Sequence, residues 1–157
     1  MARNGMFLVI EGSDGSGKST QYRLLSERLK SAGYNVKEIK FPRYNEDASY
    51  FEREYLAGNY GSAVELGPYT PSLFYALDRF DAAKEINGWL EEGCIVLADR
   101  YMTANKAQQG QKIDDKKTRE EYYAWLDQLE FGMLQSPEPD LNLILTVPHT
   151  TALDLIK

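Results

Sequence analysis

The stretch that decides the fold runs from residue 6 to residue 20 and reads MFLVIEGSDGSGKST. Its first six residues are almost wholly apolar, which is typical of a parallel strand that is buried on both faces. The segment from Gly12 to Ser19 then fits the pattern G-x-x-x-x-G-K-[ST] at every fixed position. A strand, a glycine-rich turn and a helix that begins at Lys18 are therefore predicted in direct succession.

The glycine-rich turn has the residue types that hold phosphate groups. Its glycines let backbone N–H groups turn towards one anion, and the following helix directs its positive end to the same point. Lys18 adds a charge for the β- and γ-phosphates of a nucleotide, and Ser19 offers a hydroxyl to Mg²⁺. The alternative is a glycine-rich turn with a surface lysine. The predicted phosphate-binding residues are Gly12, Ser13, Asp14, Gly15, Ser16, Gly17, Lys18, Ser19 and Thr20.

Strands and helices alternate along the rest of the chain. Further strands are predicted over 34–41, 94–98 and 141–147, and helices over 18–32, 47–58, 72–92 and 118–135. Residues 58–71 form a predicted loop, 103–115 a loop or a helix start, and a last helix begins near 150. This alternation predicts an α/β fold, a doubly wound parallel sheet flanked by helices, whose ligands bind at the carboxyl ends of the strands.

The composition limits the classes of protein to which the chain can belong. With 157 residues, of which 43% are hydrophobic, it can bury a core and is expected to form one domain. Its net charge of −6 argues against a nucleic acid polymer or an anionic membrane as partner. A lone cysteine, Cys94, excludes an internal disulfide, and no apolar run approaches the roughly 20 residues of a membrane span. We expect a soluble, cytoplasmic protein.

Charged residues follow the predicted strands at the edge where the phosphate loop lies. Asp99 comes directly after an apolar run, as the Mg²⁺-side carboxylate of phosphate-loop enzymes does, and a helix cap is the alternative. Arg43 and Arg100 also follow apolar strands, where a guanidinium can bind a phosphate with two hydrogen bonds. For each arginine the alternative is a solvated surface position.

Two classes of phosphate-loop protein fit poorly. The guanine-reading motif N-K-x-D of GTPases is approached only by NKAQ at 105–108, which lacks the carboxylate. A motor ATPase or a helicase usually needs a larger core. The size of the chain therefore favours a small-molecule kinase.

Four segments in a fixed order carry a resemblance to a known family. They are FLVIEGSDGSGKST (7–20), FPRY (41–44), LFYALDR (73–79) and DRYMTANKAQQG (99–110). Over most of its length the chain resembles the thymidylate kinases. The resemblance implies a commonly dimeric kinase with a five-stranded parallel sheet, which transfers the γ-phosphate of ATP to dTMP with Mg²⁺. It implies Lys18, Asp14 and Arg100 as catalytic residues and Ser19 and Asp99 as metal ligands.

The resemblance also implies where dTMP binds. Arg43 and Arg100 would hold its phosphate, Tyr75 would stack on the thymine, and Arg79 and Asn105 would read the base. The full set of implied dTMP-binding residues is Asp14, Phe41, Arg43, Tyr75, Arg79, Arg100, Asn105 and Gln108.

Three of these assignments have structural alternatives. Asp14 can stabilise the loop through a local turn, and Tyr75 can be a core residue of its helix. Arg79 can form a helix-surface ion pair with Asp78 or Asp81. The chemistry itself needs no general base, because a phosphate acceptor with a second pKa of about 6 is already largely ionised at pH 7. Positioning and charge neutralisation then suffice.

The sequence departs from the family pattern at three places. Gln108 stands where many members have Tyr or Phe beside the deoxyribose, so selection of the sugar and of dTMP is open. Gly15 stands where one branch of the family has a catalytic arginine, which implies the branch that supplies this arginine from a lid. That lid, a fifth strand and the final helices would follow the helix near Thr150, so 1–157 is expected to be a C-terminally incomplete kinase domain. The alternatives are a relative acting on another nucleotide or a deoxynucleoside, and a catalytically silent nucleotide-binding fragment.

Overall fold

The structure is a computed structural model of the chain and describes residues 4–148. The strands in this range are β1 (Met6–Gly12), β2 (Val36–Lys40), β3 (Ile95–Asp99) and β4 (Leu141–Leu145). The α-helices are α1 (Lys18–Ser31), α2 (Tyr50–Leu56), α3 (Tyr69–Glu91), α4 (Met102–Gly110) and α5 (Lys116–Asp127). A 3₁₀ turn, Asp47–Ser49, precedes α2, and a π-helical segment, Gln128–Met133, follows α5.

All strands described here belong to one parallel sheet in the order β2-β3-β1-β4. The register places Ile10 of β1 and Lys40 of β2 on either side of Asp99 of β3. These three strands therefore end at one edge, and the phosphate loop leaves the sheet there. The predicted parallel α/β fold is confirmed.

Helix α1 covers one face of the sheet because its apolar residues recur at helical spacing. The α1 side chains that pack on the sheet are Tyr22, Leu25 and Leu29. They contact the buried strand residues Leu8, Ile10 and Leu97. The Tyr22 hydroxyl also donates a hydrogen bond to the Leu97 carbonyl at 3.0 Å, and burial raises the pKa of this tyrosine. Removal of such side chains from water is the main force that holds the helix on the sheet.

The chain divides into two compact units. Unit 1 comprises Met1–Lys40, Glu85–Tyr101 and Glu138–Lys157, and it contains the sheet, α1 and the phosphate loop. Unit 2 comprises Phe41–Lys84 and Met102–Pro137, and it contains α2, α4, α5, the π-helical segment and the first part of α3. The expectation of a single domain over 1–157 stays a prediction.

The helices differ from the predicted ones in three respects. Helix α3 begins at Tyr69, earlier than predicted, because Pro71 lies in the first turn, where no backbone N–H has a partner within the helix. The polar segment after β3 is a helix, α4. The predicted helix over 118–135 begins at Lys116, since Asp115 caps it through the Thr118 N–H at 2.7 Å.

Helix α5 continues into the π-helical segment, where the number of residues per turn changes. The π-helical segment adds residues per turn, so it changes the face on which the side chains after Asp127 lie. Met133 is 66% exposed, whereas Glu130 is fully buried. The strand predicted over 141–147 is shorter, since β4 ends at Leu145. The helix predicted near Thr150 lies outside the described residues.

Candidate active site

The phosphate loop occupies the turn between β1 and α1 in unit 1. Gly17 precedes α1 with a φ of 78°, a left-handed conformation that glycine adopts without a Cβ penalty. A Cβ on Gly12 would lie 2.6 Å from Ser16 Oγ and 3.0 Å from the carbonyl oxygen of Leu145. Two of the fixed glycines of the sequence pattern are thus explained. Gly17 is needed for its backbone conformation, and Gly12 is needed because there is no space for a Cβ.

Lys18 is buried and ion-paired at the first position of α1. Its side chain is 8% exposed, and its Nζ lies 2.5 Å from Oδ1 of Asp99, so it is not a surface lysine. Asp99 is also buried, and its Oδ2 lies 3.6 Å from Nζ of Lys40. Two ammonium groups thus meet one carboxylate at the carboxyl edge of the sheet. Lys40 is absent from the predicted site. Its position near the end of a predicted strand could have indicated it as a site residue, and the structure places it in register with Asp99.

The turn after β3 brings Arg100 to the phosphate loop. Arg100 has a φ of 68°, which costs a non-glycine residue roughly 1 kcal/mol or more. Its N–H donates to the Ile10 carbonyl at 3.0 Å, and the next N–H, of Tyr101, donates to Glu11 Oε1 at 2.9 Å. Held in this way, Arg100 places Nη2 2.5 Å from Oδ1 of Asp14.

The turn after β3 involves two residues of the predicted site and one residue that was not predicted. Asp14 and Arg100, which the resemblance assigns to one site, are in contact within unit 1. Glu11, which orients the turn, is missing from the predicted set, although a buried acid at the end of an apolar strand is a signal for such a role. Of the other polar loop side chains, Ser13, Ser19 and Thr20 are exposed, whereas Ser16 is buried.

Arg43 is the centre of an ion-pair cluster in unit 2. Its Nε donates to Asp78 Oδ1 at 2.8 Å, and its Nη2 donates to the Asp78 carbonyl at 2.8 Å and to Asp81 Oδ2 at 2.6 Å. The Arg43 N–H also donates to Asp78 Oδ2 at 2.8 Å. Because its side chain is only 14% exposed, Arg43 is not a solvated surface arginine. The guanidinium also lies over the ring of Phe41, 5.9 Å from the centroid.

Arg79 forms a buried two-bond ion pair with Glu130. Nε donates to Oε2 at 2.6 Å and Nη2 donates to Oε1, and the side chains are 3% and 0% exposed. The alternative of a helix-surface pair with Asp78 or Asp81 is therefore wrong. Those two carboxylates bind Arg43 instead, because the turn after β2 brings Arg43 alongside α3.

Glu52 of α2 is a buried acid that is not among the residues predicted from the sequence. Its side chain is 1% exposed, and neither carboxyl oxygen has a hydrogen-bond partner among the described residues. Burial, together with the nearby charge of Asp78, raises its pKa to about 8. Its place between polar neighbours, in the segment YFEREYL, gives no sequence signal of burial.

Tyr75 lies among aromatic rings of unit 2. It is half-buried and meets Tyr55 edge to face at 6.5 Å, and burial raises the pKa of its hydroxyl, with smaller contributions from Tyr44 and Glu52. Lys112 supports Tyr55 through a hydrogen bond of 3.2 Å to its hydroxyl. Tyr75 thus packs within this aromatic group and keeps part of its surface exposed.

Helix α4 presents its amides on two different faces. Asn105 and Gln109 are one turn apart and both are buried, whereas Gln108 is exposed. The Asn105 Nδ2 donates to the Ser72 carbonyl at 3.3 Å, and the side-chain oxygens of Asn105 and Gln109 have no partner among residues 4–148. Gln109 is thus a candidate site residue that is not among those predicted from the sequence.

Comparison with known proteins decides the family. A family model described as thymidylate kinase matches residues 10–156. The chain belongs to the thymidylate kinase family. The phosphate loop, the Asp99-Arg100 turn and the α3 residues Tyr75 and Arg79 all lie inside the matched range.

Individual thymidylate kinases are similar along most of the chain. That of Mycobacterium tuberculosis is 33% identical over 143 residues, which are 90% of this chain and 66% of the relative. That of Ruegeria pomeroyi is 33% identical over 160 residues, covering 100% of this chain and 70% of the relative. The chain thus spans about two thirds of the length of these curated relatives.

A solved structure of a thymidylate kinase has the same fold. The structure of the Candida albicans enzyme superposes with a TM-score of 0.76 at 27% identity, covering 98% of this chain and 68% of that one. That enzyme has a broad substrate specificity and a novel structural element.

The residues of this thymidylate kinase family member fit a magnesium ion associated with nucleotide phosphates. Asp99 and Ser19 offer the oxygen ligands that Mg²⁺ prefers, and this ion commonly uses one or two protein groups together with substrate phosphates. Within residues 4–148 no three His, Cys, Asp or Glu side chains are grouped so as to hold a metal. No helix in the described part of the chain has both the length and the hydropathy of a membrane span.

Proposed function

We propose that the protein transfers the γ-phosphate of ATP to dTMP, giving dTDP, with Mg²⁺ and without a general base. The observation that carries this proposal is the 2.5 Å contact between Arg100 and Asp14. Because Asp14 belongs to the phosphate loop, this contact puts an arginine suited to an acceptor phosphate beside the donor-binding residues.

Unit 1 supplies the groups for the donor phosphates. The loop N–H groups and Lys18 bind the β- and γ-phosphates, and Lys18 exchanges Asp99 for phosphate oxygens as the nucleotide binds. Ser19 and Asp99 would hold Mg²⁺, which neutralises phosphate charge when bound. Arg100 binds the acceptor phosphate, whose ionised oxygen attacks the γ-phosphorus of ATP while the bond to the β-phosphate oxygen breaks and ADP leaves. No side chain has to remove a proton.

Further residues that we assign to the acceptor nucleotide belong to unit 2. Arg43 binds phosphate, Phe41 lines the site, Tyr75 stacks on the base, and Arg79 and Asn105 hydrogen-bond it. Support comes from Asn105, whose buried Oδ1 has no partner among the described residues and can accept an N–H of thymine. Gln108, which is exposed on α4, is assigned to the deoxyribose.

A substrate panel tests this function. ATP-dependent phosphorylation by the 157-residue chain is measured with dTMP, dUMP, dGMP and thymidine, and dTMP is expected to react fastest. Rapid phosphorylation of thymidine would contradict the absence of a general base, and preference for another monophosphate would change the substrate. Binding of ATP and dTMP without turnover would support the silent-fragment alternative.

We also propose that the protein forms a homodimer through α3. Leu73, Leu77 and Phe80 lie at i, i+4 and i+7 on this helix and are 40%, 41% and 50% exposed. An exposed apolar stripe of this kind is typical of a helix that packs against a partner. The molar mass in solution tests the proposal.

A further inference from the structure

The carboxyl group of Glu52 is a buried feature of unit 2 that the assigned roles do not explain. A buried polar group without a hydrogen bond destabilises a folded protein, and almost all such groups in native structures have a partner. Glu52 is 1% exposed and both of its side-chain oxygens are unpartnered among residues 4–148. A group of this kind calls for an explanation in terms of function.

Charged groups surround Glu52, and the arginines among them already bind other residues. The groups that interact electrostatically with its carboxyl group are Arg43, Arg53, Tyr75, Asp78 and Arg79. Arg43 is bound to Asp78 and Asp81, and Arg79 is bound to Glu130. Arg53 donates from Nη1 to the carbonyls of Tyr44 and Glu46 and to Ser49 Oγ at 2.5–2.9 Å. None of these cations hydrogen-bonds Glu52.

The same surroundings contain the residues that bind the acceptor nucleotide in the proposed function. Arg43 is assigned to phosphate, and Tyr75 and Arg79 are assigned to the base. Glu52 therefore lies within electrostatic range of the groups that would hold a nucleobase. This inference rests on the proposed function and adds a residue to it.

We propose that Glu52 is a specificity-determining residue of the acceptor site, where its protonated carboxyl group donates a hydrogen bond to a carbonyl oxygen of a pyrimidine base. Thymine and uracil have two carbonyl groups, so one remains for a second donor when Arg79 binds the other. A neutral acid can supply that donor in a buried position, whereas an ionised one cannot. Since the pKa of Glu52 is about 8, the donor is present at pH 7 and is lost at higher pH.

The test measures dTMP and ATP affinity by calorimetry for the wild type, E52Q and E52L. For the wild type, the dissociation constant of dTMP should rise about tenfold between pH 7 and pH 9, as the protonated fraction falls about tenfold. E52Q keeps a donor, so its affinity should stay near the wild-type value at pH 7 and vary less with pH. E52L should bind dTMP about tenfold more weakly at pH 7, and ATP affinity should be unchanged in both variants.

Glu54 provides the matched control. It lies on the same helix and its carboxylate accepts from Asn59 Nδ2 at 2.7 Å, so E54Q should bind dTMP like the wild type at every pH. Wild-type dTMP affinity in E52L, or a wild-type affinity that is constant from pH 7 to pH 9, would overturn the proposal. If E52L does not fold, the pH dependence of dTMP affinity in the wild type and in E52Q still tests the proposal. A wild type that binds no dTMP would instead refute the proposed function itself.

Discussion

Arg79 and Glu130 are 51 positions apart in the sequence and form a buried ion pair with two hydrogen bonds. One lies on α3 and the other on the π-helical segment after α5. Both charges are removed from water, so each depends on the other for compensation. This pair therefore fixes the guanidinium that we assign to the base of the acceptor nucleotide.

Breaking this pair should be strongly destabilising. E130Q leaves Arg79 buried with a weaker partner, and we expect the free energy of unfolding to fall by about 3 kcal/mol in urea titrations. E121Q alters a Glu that is 64% exposed on α5 and should change the free energy by less than about 0.5 kcal/mol. A loss in E130Q no larger than in E121Q would show that the pair contributes little.

Arg100 should affect the acceptor more than the donor. R100A removes the guanidinium beside Asp14, and we expect dTMP affinity to fall about tenfold or more while ATP affinity stays nearly intact. The control is R23A, which changes an arginine that is 61% exposed on α1. Equal losses of dTMP and ATP affinity in R100A would mean that its role is misassigned.

Lys18 should be essential for phosphoryl transfer. K18M removes the charge assigned to the β- and γ-phosphates, so we expect turnover to fall about 100-fold or more. The variant also leaves buried Asp99 with Lys40 as its remaining ammonium neighbour, so thermal stability should be recorded alongside. K117M, at a position that is 86% exposed, serves as the control. Near-normal turnover in K18M would refute the phosphate role.

Glu52 should make the folded state less stable as pH rises. Its pKa is raised from its ordinary value, 4.5, to about 8, so between these values the folded state binds the proton and the unfolded state releases it. The stability that the protonated carboxyl group contributes is therefore fully present below pH 4.5. It falls as the pH rises to about 8, by at most about 1.4 kcal/mol per pH unit. E52Q removes this slope, so its stability relative to the wild type should grow from pH 5 to pH 8 in urea titrations. A constant difference would contradict the pKa shift.

The exposed stripe on α3 should control the oligomeric state. L77E places a charge in the middle of the stripe, and we expect a dimeric wild type to become monomeric in light scattering coupled to size exclusion. V64E, at a site that is 89% exposed and outside the stripe, should leave the mass unchanged. An L77E protein that keeps the wild-type dimer mass would exclude this face as the interface.

Features that depend on local spacing could be read from the sequence alone. The apolar run before Gly12 and the fixed glycines determined β1, the phosphate loop and the start of α1, because each is a property of neighbouring residues. The alternation of strands and helices likewise determined the parallel sheet. Asp99 and Arg100 could be located because the end of a strand is visible as the end of an apolar run.

Partners that are distant in sequence were decided only by the tertiary structure. Arg43 binds Asp78 and Asp81, which left Arg79 to pair with Glu130, because the strand-to-helix turn and the π-helical segment determine which charges meet. Nothing in the pattern YFEREYL marks Glu52 as buried, since burial depends on what packs over a helix and not on the helix itself. The sequence by itself thus determined the phosphate loop and the sheet, and the packing of helices from separate parts of the chain decided which polar groups are paired and which are not.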